Sequence, residues 1–212
     1  NLIDTERLMK MLSDSGMNVV FESEKPVKND IVVINTCGFI GDAKEESINT
    51  ILQWLQQKEQ NHIRAVYVMG CLSERYRDIL PKEIEGVDGW FGKTDWPGIV
   101  KSISGLSPAV SKYDRIITTP KHHAYLKISE GCNRFCAFCA IPLITGRHHS
   151  RTIEEIADEV KSLCARGVKE FNVIAQDLSS YGIDIYGEKK LAQLIDTIAG
   201  IEGVEWVRLH YA

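Results

Sequence analysis

The chain has 212 residues, of which 44% are hydrophobic and 25% are charged, and its formal net charge is −4. This composition is typical of one or two globular domains and excludes a long disordered segment. No run of about 18 apolar residues occurs, so no transmembrane helix is predicted. The negative net charge argues against a dedicated nucleic-acid-binding module.

The first half of the chain has the alternating pattern of an α/β domain. The predicted elements, in chain order, are helix 4–12, strand 18–21, strand 30–35, a helix from 42, strand 65–69, helix 73–84, strand 89–92 and helix 95–103. The β-branched run at 30–35 is typical of a strand buried on both faces. Residues 1–103 are therefore predicted to form an open, mostly parallel α/β sheet, with its first strand upstream of Asn1.

The second half begins after a predicted linker at residues 104–121, which is rich in Ser, Gly, Pro and Thr. The predicted elements that follow are strand 124–129, loop 130–151, helix 152–165, strand 171–175, helix 188–199 and strand 206–211. Thr152 and Glu155 form a capping-box pattern at the start of the first of these helices. This order predicts that residues 122–212 are the first half of a (βα) barrel.

Three of the six cysteines lie together in the predicted loop. Cys132, Cys136 and Cys139 have the spacing C-x3-C-x2-C, directly after Gly131, which allows a sharp turn. Zinc sites commonly use four ligands, whereas three thiolates on one loop suit a [4Fe–4S] cluster with one iron open to a small molecule. Thiolate ligands also imply a reducing compartment, so a cytoplasmic location is expected.

Two further cysteines each follow a predicted buried strand of the first domain. Cys37 and Cys71 both lie beside a glycine, and ligands of open α/β sheets bind outside the carboxyl ends of the strands. Because two thiolates are too few for a cluster, we expect a third cysteine just upstream of Asn1. The alternative is a pair of buried free cysteines. Cys164 lies at an apolar position of a predicted helix and is expected in the core.

These motifs resemble the methylthiotransferases, a family of radical S-adenosylmethionine enzymes. The triad Cys132, Cys136 and Cys139 after the first barrel strand is similar to the radical enzymes in general. Residues 35–40 and 70–72 resemble the family's N-terminal cluster motifs. The resemblance covers essentially the whole chain. A zinc knuckle and a ferredoxin-type loop are the alternatives for the triad.

The resemblance implies two [4Fe–4S] clusters and S-adenosylmethionine as cofactors. It implies that Cys132, Cys136 and Cys139 hold the cluster that binds S-adenosylmethionine, and that Phe138 lies against the adenosyl moiety. Gln176, at the end of the second barrel strand, is a candidate for a polar contact to cofactor or substrate, or for satisfying loop backbone. Arg151 is a candidate partner of the cofactor carboxylate, or an exposed charge beside the helix start.

Smaller features resemble the branch that modifies an aspartate of small-subunit ribosomal protein uS12. They are residues 175–177 and 180–182, with 130–133, whereas the tRNA-modifying branch typically has Gly-Gln-Asn at 175–177. The resemblance then implies that a 5′-deoxyadenosyl radical removes a hydrogen from the aspartate β-carbon and that the second cluster supplies a methylated sulfur. Abstraction by a radical needs no general base.

The expected partners are uS12 and an electron donor such as flavodoxin, with no membrane. The net charge of −4 suits a basic ribosomal protein better than an RNA backbone. A tRNA adenosine methylthiotransferase and a non-catalytic iron–sulfur electron carrier are the alternative functions.

Overall fold

The computed structural model describes residues 2–23, 25, 27–107 and 114–210. The chain divides into two compact units, Asn1–Ile116 and Ile117–Ala212. Each unit is built on an open, three-stranded parallel sheet, which confirms the predicted α/β fold class. No helix among these described residues is long and apolar enough to cross a membrane.

The first unit contains, in chain order, α1 (Leu2–Asp14), β1 (Ile31–Thr36), α2 (Gly41–Glu59), β2 (Ala65–Gly70), α3 (Cys71–Arg75), α4 (Leu80–Glu83), β3 (Gly89–Trp90) and α5 (Trp96–Ser104). Its strands lie in the order β1-β2-β3. Thr36, the last residue of β1, pairs with Gly70, the last residue of β2. Both strands therefore end at the same edge of the sheet.

The sheet of the first unit has an apolar core on each face, as the β-branched strands predict. Val66 and Val68 of β2 pack with Ile51 of α2 on one face. Met69 packs with residues of α1 and α5 on the other face. Successive residues of β2 thus face different helices, because side chains alternate between the two faces of a strand.

Some local predictions for the first unit are wrong. Residues 18–21 form no strand; Val19 packs against the core, but Val20 is exposed, so the segment docks on the sheet without joining it. The helix predicted at 73–84 is two short helices, α3 and α4. Helix α2 begins at Gly41, with Ile40 as its N-cap, and not at residue 42 as predicted from the capping pattern of Asp42 and Glu45.

A buried ion pair joins residues that are far apart in the sequence of the first unit. The guanidinium of Arg115 donates to the carboxylate of Glu6 on α1, and each residue is only 1% exposed. The Ile116 N–H also donates to the carbonyl oxygen of Glu6, at 3.2 Å. Because a buried charge is costly without a partner, residues 115 and 116 are fixed against α1.

The second unit contains β4 (His123–Lys127), β5 (Ser129–Glu130), α6 (Ile141–Thr145), β6 (His149–Ser150), α7 (Ile153–Ala165), β7 (Glu170–Ile174), a 3-10 turn (Leu178–Ser180), α8 (Ile183–Tyr186), α9 (Leu191–Ala199) and β8 (Trp206–Leu209). Its parallel sheet has the order β4-β7-β8, and β5 pairs with β6 in antiparallel fashion. Tyr211, in the predicted third strand, lies outside the described residues.

The second unit has one core, between its sheet and the helices that connect the strands. Leu126 of β4 and Phe171 of β7 pack with Ile156 and Val160 of α7 and with Leu194 of α9. The capping box predicted at the start of α7 is present: Thr152 Oγ1 accepts from the Glu155 N–H, and the Glu155 carboxylate accepts from the Thr152 N–H. Helix α9 begins at residue 191, later than predicted, because residues 187 and 188 form a bend and residues 189 and 190 have no regular structure.

Candidate functional site

The two cysteines of the first unit lie at the shared carboxyl edge of β1 and β2. Cys37 directly follows β1, and Cys71 is the first residue of α3, directly after β2. The loops that carry them are in backbone contact, since a Cβ atom added at Gly38 would lie 2.7 Å from the carbonyl carbon and oxygen of Cys71. The glycine beside Cys37 is therefore needed for the two loops to approach.

Side chains hold these two loops in place. Thr36 donates its hydroxyl to the carbonyl oxygen of Met69 at 2.6 Å. Ser47 of α2 accepts a hydrogen bond from the Cys37 N–H at 3.0 Å. Arg75 of α3 donates to the carbonyl oxygen of Gly38 at 2.9 Å, so the helix that follows Cys71 also anchors the loop that follows Cys37.

The two thiols of the first unit differ in exposure. Cys71 is buried and Cys37 is half-buried. Burial raises the pKa of the Cys71 thiol, while the positive charge of Lys93 acts in the opposite direction. Lys93 follows β3 and is itself buried. No periodic pattern in the sequence predicts that it lies near these thiols.

The other three cysteines lie on one loop of the second unit, residues 131–140, which we call the cysteine loop. Gly131 opens it with a positive φ of 76°, and a Cβ atom there would lie 2.1 Å from the carbonyl oxygen of Arg147. The Cys132 N–H donates to the carbonyl oxygen of Gly146 at 3.3 Å. The base of the cysteine loop is thus packed backbone to backbone, which only glycine permits.

The three thiols of the cysteine loop differ in exposure: Cys132 is buried, whereas Cys136 and Cys139 are exposed. The Cys139 N–H donates to the carbonyl oxygen of Cys136 at 3.0 Å, which closes a turn between these two residues. The Arg134 N–H lies 3.4 Å from Cys132 Sγ. Phe138 is fully exposed, so its ring is available to a ligand of the loop.

Gln176 lies at the carboxyl edge of the parallel sheet of the second unit, two residues beyond the end of β7. Its Nε2 donates to Glu130 at 3.1 Å, and Glu130 also pairs with the buried Lys127 at 2.5 Å. Its Oε1 atom is buried, and no donor among the described residues contacts it. A buried acceptor of this kind is costly unless a donor is supplied, and a donor from a bound ligand would satisfy it.

Arg151 is held within the second unit. Its guanidinium lies 2.7 Å from the Glu159 carboxylate on α7 and donates to the carbonyl oxygen of Lys127 at 2.7 Å. The Arg151 side chain is 15% exposed and that of Glu159 is 2% exposed. Its structural alternative, an exposed charge beside the helix start, is therefore wrong. Its contact with a cofactor carboxylate stays a prediction.

Asp177, three residues after β7, is a buried carboxylate for which the sequence predicts no charged partner. Burial alone would raise its pKa, but hydrogen bonds from Arg134, Ser180 and Ser179 hold it well below the usual range. Arg134, on the cysteine loop, provides the charged partner. The two residues are 43 positions apart, so no local pattern could have paired them.

The donor set of the cysteine loop fits an iron–sulfur cluster better than a single ion. Three thiols within eight residues are soft donors of the kind that hold such clusters. The structure does not gather the three thiols: no group of three or more His, Cys, Asp or Glu side chains in the described part of the chain is arranged to hold a metal ion. The cluster therefore stays a prediction from the spacing of the cysteines. Cys164 of α7 is half-buried, packs against the core, and has its thiol pKa raised by burial.

Known families match both halves of the chain. Residues 1–92 match a family described as "Uncharacterized protein family UPF0004". Residues 126–210 match the radical SAM superfamily. The second match contains the cysteine loop, and the first contains Cys37 and Cys71.

Curated relatives match over the full chain. The protein named "Ribosomal protein uS12 methylthiotransferase RimO" is 56% identical over 212 residues in Bacteroides fragilis, 55% in Phocaeicola vulgatus and 51% in Flavobacterium psychrophilum. Each match covers 100% of this chain and 49%, 49% and 48% of the respective relative. The chain thus spans about half the length of the curated relatives it matches.

A solved structure shares the fold. It is the radical S-adenosylmethionine methyltransferase TsrM from Kitasatospora setae, with cobalamin and a [4Fe–4S] cluster bound, which matches with a TM-score of 0.51 and 14% identity over 89% of this chain and 43% of that chain. The match supports the α/β fold class alone. The two family matches and the relatives at 51–56% identity show that this chain is similar, along its whole length, to radical S-adenosylmethionine methylthiotransferases.

Proposed function

We propose that the protein is a methylthiotransferase that replaces a hydrogen on the β-carbon of an aspartate of ribosomal protein uS12 with a methylthio group. Cys132, Cys136 and Cys139 would hold one [4Fe–4S] cluster. Cys37, Cys71 and a third cysteine upstream of Asn1 would hold the second. The name carried by the relatives at 51–56% identity supports this substrate.

The observation that carries the proposal is the cysteine loop. Three thiols follow the first parallel strand of the second unit, and the base of their loop is fixed by the contact between Gly131 and Arg147. When bound there with S-adenosylmethionine, a cluster with one open iron supplies the one-electron chemistry that generates a radical able to attack an unactivated C–H bond.

The other residues of this edge bind and orient. Phe138 offers an exposed ring on which the adenosyl group would lie. Gln176 presents its buried Oε1 atom to a donor of the cofactor or the substrate. Arg151 is kept as a candidate for the cofactor carboxylate, and its contact with Glu159 would set the direction of its guanidinium.

The partners and location follow from the same proposal. A net charge of −4 favours a basic ribosomal protein over the phosphate backbone of tRNA. An electron donor such as flavodoxin would reduce the cluster, and the free thiols suit the reducing cytoplasm.

Two measurements test the proposal. After anaerobic reconstitution we expect about four irons per chain for each cluster and reductive cleavage of S-adenosylmethionine; an intact cofactor after reduction would contradict radical chemistry and favour an electron carrier. In a strain that lacks the gene, mass spectrometry of uS12 should show loss of the methylthio group. Loss from tRNA instead, with uS12 unchanged, would assign the substrate to tRNA.

A further inference from the structure

We propose that Arg134 and Asp177 form a latch that fastens the cysteine loop to the end of β7, and that Arg134 is a positioning residue for the three thiols. The inference rests on the proposed function, because it gives a purpose to the position of Arg134 between Cys132 and Cys136. Neither residue needs to touch the cofactor for the latch to act.

The latch is a two-point contact between planar groups. Arg134 Nε lies 2.8 Å from Asp177 Oδ2, and Arg134 Nη2 lies 3.3 Å from Asp177 Oδ1. Nη2 also donates to Ser179 Oγ at 2.6 Å. A forked contact of this kind fixes orientation as well as distance, which a lysine could not do.

The receiving end of the latch is rigid. The Asp177 side chain is 6% exposed. Besides Arg134, its oxygens accept hydrogen bonds from Ser179 at 2.9 Å and from Ser180 at 2.8 Å. Both serines belong to the 3-10 turn that follows β7. The carboxylate is therefore aimed at the cysteine loop before Arg134 binds it.

The far half of the cysteine loop needs such a tether. Phe135 and Phe138 are 61% and 103% exposed, so apolar packing contributes little there. At the base, the His148 N–H donates to Asn133 Oδ1 at 3.1 Å. Arg134 is the next residue, and its contact with Asp177 ties the loop to the segment that follows β7, two residues before Cys136.

The test measures order in the loop directly and does not depend on a bound cluster. Hydrogen–deuterium exchange of the loop peptides is compared in the full chain for the wild type, R134Q, D177N, the double variant and R134K. We expect about tenfold faster exchange in residues 131–140 for each neutral variant, since charged hydrogen bonds are the stronger class. The double variant should exchange no faster than either single variant, because both remove one interaction. R134K should restore part of the protection.

The matched control is D158N, which neutralises an exposed ion pair with Lys161 in the same unit and should leave the loop unchanged. R134Q keeps the test valid if D177N fails to fold, since the Arg134 side chain is 59% exposed. The latch would be overturned if the loop of R134Q exchanged as slowly as that of the wild type. It would also be overturned if the effects of the two substitutions added in the double variant. If the wild type fails to bind iron or cleave S-adenosylmethionine while the variants still lose protection, the proposed function fails and the latch stands.

After anaerobic reconstitution, the electron paramagnetic resonance spectrum of the reduced cluster is the second readout. R134Q should change the shift that S-adenosylmethionine induces in that spectrum, and R134K should move it back toward the wild type. A spectrum and shift identical to those of the wild type in R134Q would show that the latch does not position the thiols.

Discussion

Gly38 and Cys71 are in direct backbone contact, although 33 positions separate them. An added Cβ atom at Gly38 would meet the carbonyl carbon and oxygen of Cys71 at 2.7 Å and the nitrogen of Leu72 at 2.8 Å. These neighbours are backbone atoms, so they cannot rotate away as a side chain would. The contact sets how closely the loops after β1 and β2 approach.

Replacing Gly38 with alanine should therefore push the two loops apart and expose the Cys71 thiol. We expect the rate of Cys71 labelling by N-ethylmaleimide to rise at least about tenfold, with a loss of roughly 1–3 kcal/mol in the free energy of unfolding. Labelling is measured per cysteine by peptide mass spectrometry. G41A is the control, because an added Cβ at Gly41 meets nothing within 4 Å. Equal labelling of Cys71 in G38A and G41A would contradict the prediction.

Replacing Gly131 with alanine should disrupt the cysteine loop. Gly131 and Gly187 have nearly the same φ, 76° and 77°, but only at Gly131 would a Cβ atom clash, at 2.1 Å from Arg147. G187A should lower the free energy of unfolding by only about 1–2 kcal/mol, the cost of placing alanine in the left-handed conformation. G131A should lower the free energy of unfolding further and should also fail to bind iron. Urea unfolding and iron content measure the two effects, and equal losses in both variants would show that the close approach is unimportant.

The two buried or half-buried cysteines of the second unit should respond differently to substitution. Cys132→Ala should prevent assembly of the cluster on the cysteine loop, a loss of about four irons per chain. Cys164→Ala should keep all the iron and cost about 1 kcal/mol of stability, the usual effect of a small core change. Iron loss in the Cys164 variant would refute its place in the core.

Replacing Glu159 with glutamine should destabilise the second unit strongly. The change removes the charge of the carboxylate that lies 2.7 Å from the guanidinium of Arg151, whose side chain is 15% exposed. Removing one partner of a buried pair costs about 3–5 kcal/mol, whereas D158N on the same helix removes an exposed pair and should cost less than about 1 kcal/mol. If the two variants had similar free energies of unfolding in urea, the contact between Arg151 and Glu159 would not contribute to stability.

Asp184 should make the stability of the second unit depend on acid pH. Burial would raise its pKa, but the hydrogen bond from the Ser150 N–H at 2.7 Å contributes to a net lowering. Because the pKa of Asp184 is lower in the folded than in the unfolded state, the ionised carboxylate stabilises the fold at pH values above its unfolded pKa of about 3.9. This stabilisation is lost as the pH falls through the folded pKa. Between about pH 4 and pH 3, the wild type should therefore lose stability faster than D184N. If the free energy of unfolding falls equally with pH in the wild type and D184N, Asp184 does not cause the acid dependence.

Local patterns predicted much of the fold, because the forces that set these elements act over a few residues. The β-branched runs predicted β1 and β2, and the Thr152–Glu155 pair predicted the start of α7. The spacing of the cysteines placed three thiols on one loop after a strand. Periodicity failed at residues 18–21, where an apolar run packs on the core without a partner strand.

The polar contacts between distant elements could not be predicted in this way. No local pattern in the sequence joins Arg134 to Asp177, because their pairing depends on how the cysteine loop folds back to β7. The buried partner of Arg151, Glu159, lies on the face of α7 that turns inward. A buried charge is tolerated only with its partner, and the partner is known only when the tertiary structure is known.

The buried pair between Glu6 and Arg115 has a practical consequence for anyone who expresses the first unit alone. A truncated protein that stops at residue 103 would keep the carboxylate on α1 but lose the guanidinium that neutralises it. Because removing one partner of a buried ion pair is strongly destabilising, such a fragment should hold α1 less firmly. Cutting the chain after Ile116 keeps both charges in one piece and is the better boundary for an isolated fragment.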